Sequence, residues 1–121
     1  MKIPGPDHPI TVTPSKNHVV VTFAGREIAN TTRAMMLKES TYPAVQYIPR
    51  ADVDMSLLQR TTHGSECPYK GHANYFSIRA DGKVAENAVW TYEMPFDAVA
   101  PIKDHVAFYP NRVDAIEEKP A

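Results

Sequence analysis

Asn74-Tyr75-Phe76-Ser77-Ile78-Arg79-Ala80-Asp81-Gly82-Lys83-Val84-Ala85-Glu86-Asn87-Ala88-Val89-Trp90-Thr91-Tyr92 decides the fold. Two strand-like runs flank Asp81-Gly82, a dipeptide suited to the two positive φ angles of a tight hairpin turn. The segments around it carry the same signal. His18–Phe23 (His-Val-Val-Val-Thr-Phe) is a β-branched strand, Ala24-Gly25-Arg26 a hairpin loop, and Glu27-Ile28 the start of a return strand. Thr32–Glu39 contains helix-favouring residues but is short and follows a strand pattern, so it is read as a strand. Tyr42–Pro49 alternates apolar and polar residues between two prolines and is read as an edge strand, because Pro cannot serve a central ladder. Arg50–Val53 reads as a tight turn, Met55–Arg60 as a strand, and Ala98–Lys103 as a helical turn. Val106–Tyr109 and Val113–Glu117 read as strands joined through Pro110-Asn111-Arg112.

These elements predict a mainly β fold of antiparallel strands with little helix, either a folded-over sandwich or a partly open barrel. No repeat or long amphipathic helix interrupts the pattern. The 121 residues fit one domain and suffice to bury a core without disulfide or metal staples. Residues 1–16, rich in Pro, read as an extended arm; residues 17–118 form the single β domain; residues 119–121 are a tail.

Thirteen basic and fourteen acidic residues give a net charge of −1, which argues against a nucleic-acid binder. No apolar run approaches the ~20 residues of a membrane helix. The first ten residues hold three prolines and no apolar stretch, unlike a signal peptide. A single cysteine precludes an intrachain disulfide and fits a reducing compartment, so a cytoplasmic location is expected.

The densest chemistry lies in His63-Gly64-Ser65-Glu66-Cys67-Pro68-Tyr69-Lys70-Gly71-His72, read as a loop. Cys67 is a candidate nucleophile if Lys70 and His72 fold toward it, and Pro68 stiffens the backbone beside it. The alternative is a small buried hydrophobe, a common fate of free cysteine. His63, Cys67 and His72 lack the paired-ligand spacing of a zinc site, so neither metal nor cofactor is expected. Gly64 and Gly71 do not form a phosphate loop, and no Gly-x-Ser-x-Gly elbow exists.

Arg33, Lys38 and Glu39 read as a charged cluster. Arg33 can fork a carboxylate or phosphate, and Glu39 can act as a general base if burial raises its pKa. An ion pair at a strand end is the alternative. Tyr42, Tyr47, Tyr69, Tyr75, Trp90, Tyr92 and Tyr109 are rings with polar tips that suit either pocket walls or sheet core.

Thr32-Arg33-Ala34, Glu39-Ser40-Thr41-Tyr42-Pro43, Tyr47-Ile48-Pro49-Arg50-Ala51-Asp52-Val53, Cys67-Pro68-Tyr69-Lys70-Gly71, Glu86–Tyr92 and His105–Pro110 together resemble the bacterial domain-of-unknown-function 427 family, also labelled nucleotidyltransferase-like. The resemblance runs from the first strand to Glu117. It implies a tent-like (Mss4-like) fold of folded-over sheets, shared with a small GTPase-exchange chaperone, methionine sulfoxide reductase B and the ligand-binding domain of cereblon. Many of those relatives hold zinc with paired cysteines, which this chain lacks. The nucleotidyltransferase label has no phosphate-binding motif behind it here. The resemblance also groups Arg33, Glu39, Tyr42, Tyr47, Cys67, Tyr69, Lys70 and Trp90 as a shared set.

Three expectations follow. The first is a pocket near Cys67 for a small, anionic molecule, with Cys67 or Glu39 carrying any chemistry. Arg33 and Lys70 would hold the anion, and Tyr42, Tyr47, His63, Tyr69 and Trp90 would line the pocket. The second is a non-catalytic interaction module with Cys67 in the core. The third is a homodimer formed by pairing of the Tyr42–Pro49 edge, with the arm crossing to a neighbour.

Overall fold

The hairpin expected at Asp81-Gly82 forms, within the larger of two sheets. The computed structural model describes all 121 residues, Met1–Ala121. Its strands are β1 (Ile10–Pro14), β2 (Asn17–Phe23), β3 (Arg26–Thr31), β4 (Met35–Glu39), β5 (Val45–Pro49), β6 (Leu58–Cys67), β7 (Gly71–Ala80), β8 (Lys83–Thr91), β9 (His105–Phe108) and β10 (Ala115–Pro120). β7 and β8 form the Asp81-Gly82 hairpin, with φ of 51° and 80° at the two turn residues. Ala24 and Gly25, also at positive φ, close the β2–β3 hairpin in the same manner.

A seven-stranded sheet runs in the order β1-β4-β5-β9-β8-β7-β6, and a three-stranded sheet runs β10-β2-β3. Every strand pair is antiparallel. The larger sheet is open, with β1 and β6 at its edges, so the fold is no barrel. Short 3-10 turns at Arg50–Asp52, Met55–Leu57, Asp97–Ile102 and Pro110–Arg112 supply the only helix. None is long and apolar enough to cross a membrane.

Period-two alternation divides the core between the two faces of the large sheet. On one face Ile48, Phe76, Ile78, Val89, Val106 and Phe108 meet Val19, Val21, Phe23 and Ile28 of the small sheet. This is the folded-over packing that the absence of long helices requires. On the other face Leu37, Tyr47, Tyr75, Tyr92 and Ala107 pack with Val99 and Ile102 of the Asp97–Ile102 turn. That turn is too small to cover the face. The uncovered part is walled by tyrosines and a tryptophan.

Four readings of the sequence need correction. β5 is interior, paired to β4 on one side and β9 on the other. Pro43 precedes the strand, and Pro49 is its last residue, paired with His105 at the end of the ladder, so neither proline interrupts the middle of the strand. Residues 63–67 are strand rather than loop, because β6 continues to Cys67 after an irregularity between Arg60 and Gly64. The strand expected from Met55 starts at Leu58, behind a 3-10 turn whose Asp54 side chain accepts a hydrogen bond from the Ser56 backbone. At the termini, Ile10–Pro14 of the arm is a strand paired with β4, and β10 extends to Pro120 through the supposed tail.

Candidate functional site

Glu39 ends β4, and Lys70 lies in the turn between β6 and β7. Folding brings these residues, 31 apart in sequence, into an ion pair through Lys70 Nζ and Glu39 Oε1. Their side chains are only 12% and 13% exposed, which separates this pair from the more exposed Arg33–Asp52, Arg60–Glu93 and His72–Glu66 pairs on the surface. The other carboxylate oxygen, Oε2, accepts a hydrogen bond at 2.8 Å from His8 Nε2. A carboxylate only accepts, so His8 carries its proton on Nε2.

The backbone fixes this arrangement from both sides. Lys2 N donates to Pro68 O at 2.7 Å, and Phe96 N donates to Lys70 O at 3.0 Å. Gly71 follows at φ +115°, with the Met94 carbonyl oxygen 3.3 Å from where a Cβ would sit. The arm runs over the turn. His8 stacks on Tyr69 with ring centroids 4.2 Å apart, and Ser40 N donates to Pro9 O. The arm therefore packs on its own body.

Beside the pair is a hollow of about 250 Å³. Tyr42, Tyr47, Tyr75, Trp90, Tyr92 and Tyr109 supply its rings, and Leu37, Pro43 and Val45 complete the apolar lining. Alternation along β7 and β8 turns Tyr75 and Trp90, a directly paired couple, onto this face. Trp90 Nε1 donates to Tyr47 Oη at 3.0 Å, and Tyr75 Oη shares a hydrogen bond with Ser65 Oγ at 2.8 Å. Lys70 Nζ lies 6.0 Å from the Tyr92 ring centroid, within cation–π range.

Burial drives the electrostatics. It pushes the Tyr47 and Tyr92 hydroxyls well above the ordinary tyrosine value, with the Trp90 hydrogen bond only partly offsetting this at Tyr47. Burial first, then the hydrogen bond to Tyr75, pushes Tyr109 up to about 12. Tyr47, Tyr92 and Tyr109 are thus neutral hydrogen-bonding groups at any ordinary pH. Burial also pushes the Glu39 carboxyl up, but hydrogen bonds from Lys70 and His8 outweigh it and hold the group below the usual carboxylate range. A carboxylate held that way is a weak base, contrary to the general-base expectation.

Several sequence-predicted site residues lie elsewhere. Arg33 forks Asp52 through Nε at 3.2 Å and Nη2 at 2.9 Å, and its side chain is 63% exposed. This pairing raises the Arg33 pKa and lowers that of Asp52, whose carboxylate also accepts from Thr31. The expected Arg33–Lys38–Glu39 cluster does not form; Lys38 Nζ donates to the Tyr42 carbonyl. Cys67 is half-buried against the Tyr47–Tyr92 cluster and does not line the hollow. Lys70 and His72, its expected activators, are engaged by Glu39 and Glu66. His63 is exposed with its ring against Tyr75, 4.4 Å between centroids. Tyr69 stays beside the site through His8 rather than in the lining. Thiol, guanidinium and ammonium therefore do not share one hollow. No group of three or more His, Cys, Asp or Glu side chains is placed to hold a metal ion.

Sequence reasoning missed His8. Its partners are 31 and 61 positions away, and only the course of the arm brings them together. Tyr75, Tyr92 and Tyr109 were legible as ring-bearing candidates; what placed them in one wall was strand alternation and register.

A family model described as "Domain of unknown function (DUF427)" matches residues 11–119, nearly the whole chain. No curated protein matches this chain.

Proposed function

The chain belongs to the domain-of-unknown-function 427 family, and from that premise we propose that it binds a small, flat molecule in the hollow beside Lys70, without catalysing its conversion. One observation carries this reading: a shielded Lys70–Glu39 pair at the edge of a ring-walled hollow. Both Glu39 oxygens are occupied, by Lys70 and His8. An ammonium has three N–H donors, and Glu39 is the one hydrogen-bond partner of Lys70 Nζ. The site thus offers donors and asks the ligand for an acceptor, a carbonyl or carboxylate oxygen. The rings offer flat faces for stacking at 4–7 Å centroid separations. With Glu39 already balancing Lys70, the fit is to a single acceptor group rather than to a multiply charged anion such as a triphosphate.

The absence of an activated nucleophile or base at the hollow favours binding over catalysis. Cys67 stands behind the wall, and Glu39 is held ionised by its partners. The test uses Trp90, the single tryptophan of the chain and part of the wall. Benzoate is expected to change its fluorescence saturably, and Lys70→Met to weaken that binding by about tenfold, a charge-assisted hydrogen bond's share. Cys67→Ala and Arg33→Ala should bind benzoate as the parent does. Equal affinity in Lys70→Met, or loss of binding in Cys67→Ala with the fold intact, would overturn the reading.

A further inference from the structure

A second hollow, of about 450 Å³, lies between the two sheets. It shares Tyr42, Pro43, Val45 and Trp90 with the first, but it belongs to the opposite face of β5, where Gln46 and Ile48 point. Val21, Ile48, Phe108 and Ile116 give it apolar walls.

Its one charged group is Glu118. Gln46 is 8% exposed, and its Nε2 donates to Glu118 Oε1 at 3.0 Å. Glu118 can only accept, so the amide orientation is fixed; a flip would set two oxygens against each other. The Gln46 Oε1 is then left buried without a hydrogen-bond partner. Buried acceptors in native proteins nearly always have a donor. No Lys, Arg or His lines the hollow to supply one. The carboxylate of Glu118 makes the lining net negative, and Trp90, Phe108 and Tyr42 add ring faces that attract cations.

We infer that this hollow is a second binding site, for a small amphipathic amine. Its apolar body lies among Val21, Ile48, Phe108 and Ile116, its ammonium pairs with Glu118, and a turn of the Gln46 side chain brings the buried Oε1 to the ammonium as the donor it lacks. A carboxylate of the same size would meet the like charge of Glu118 and no cation. A pure hydrocarbon would leave the Gln46 oxygen as unpaired as before. The two hollows thus select opposite polar ends: the first takes an acceptor on Lys70, the second a donor on Gln46.

The test is a methyl and side-chain amide NMR titration of the full chain with 2-phenylethylamine, alongside 3-phenylpropionate as its anionic counterpart. The amine should shift the methyls of Ile48 and Ile116 and the Gln46 side-chain amide saturably, and leave Leu37 of the first hollow unmoved. The anion should leave Ile116 unmoved. Glu118→Gln, at an exposed position where folding is not at risk, should weaken amine binding by about three- to tenfold. Gln46→Leu, checked for an unchanged fold, should do the same. No saturable shift, the same Ile116 response to the anion, or full affinity in Glu118→Gln would each overturn the assignment. Benzoate binding is judged by its dependence on Lys70, and amine binding by the Ile48 and Ile116 methyls and its dependence on Glu118, so either site can fail without the other.

Discussion

Lys70→Met should destabilise the protein by about 2 kcal/mol at pH 7, and the loss should shrink as the solution is acidified. Removing one partner of a fully buried ion pair costs ~3–5 kcal/mol, because a lone charge is left in a poor dielectric. The hollow admits water to this pair, which screens it and lowers the expected figure. The sign of the pH dependence follows from Glu39. In the parent protein its carboxyl is held below the ordinary range, so its contribution is complete above the unfolded value of about 4.3 and fades as pH falls through the lower folded value. In Lys70→Met, burial is opposed only by His8, and the carboxyl moves upward. The variant then recovers relative stability on protonation while the parent loses it. Urea unfolding at pH 7 and pH 4 should show the gap between them narrowing. A gap that is the same at both pH values would mean that Glu39 does not depend on Lys70. Asp52 and Glu93, also held low by arginine partners, act equally in both proteins and cancel from the difference.

Gly71→Val should cost about 3 kcal/mol and abolish benzoate binding at the first hollow. At φ +115° a β-branched residue is strained by roughly 1–3 kcal/mol before any contact is considered. The added Cβ would also stand 3.3 Å from the Met94 carbonyl oxygen, which is backbone and cannot swing aside. Relief requires the Met94–Phe96 segment to move, and Phe96 N holds the Lys70 carbonyl. The strain is therefore delivered to the residue that carries the binding donor. Thermal unfolding and the Trp90 titration measure the two effects. A Gly71→Val protein with parental stability and affinity would show that this turn does not set the position of Lys70. Gly82→Val is the control: Gly82 also has positive φ, but no atom lies within 4 Å of its Cβ position, so its effect should be confined to stability.

The sequence was most readable where the signal was local. Asp81-Gly82 located the β7–β8 hairpin because the turn needs positive φ at adjacent residues, and the shortness of Thr32–Glu39 correctly outweighed its helix propensity. It was least readable where position in the sheet decides. Pro43 and Pro49 gave the signature of an edge strand, yet β5 lies inside because Pro43 precedes the strand and Pro49 sits only at its last position. β6 was missed beyond Arg60 because His63-Gly64-Ser65-Glu66 has no apolar alternation; it is an edge strand whose outward side chains face solvent.

The same division holds for the site. Glu39, Lys70 and most of the rings were found by residue type. Which charge pairs with which was not, since Arg33 could meet Glu39 or Asp52 by sequence alone, and tertiary packing chose Asp52. Cys67 drew attention as the most reactive side chain, but reactivity depends on access and on charged neighbours, and its neighbours turned elsewhere. His8 entered the site through β1, whose pairing with β4 carries the arm past Glu39.

The central claim is that the ring-walled hollow receives an acceptor group on Lys70. Crystals soaked with 4-bromobenzoate test it most directly through the anomalous signal of bromine. The expected result is a peak inside the hollow, among Tyr42, Trp90 and Tyr109, with the carboxylate turned to Lys70 Nζ. Bromine peaks only on the outer surface, or a carboxylate placed away from Lys70, would contradict it.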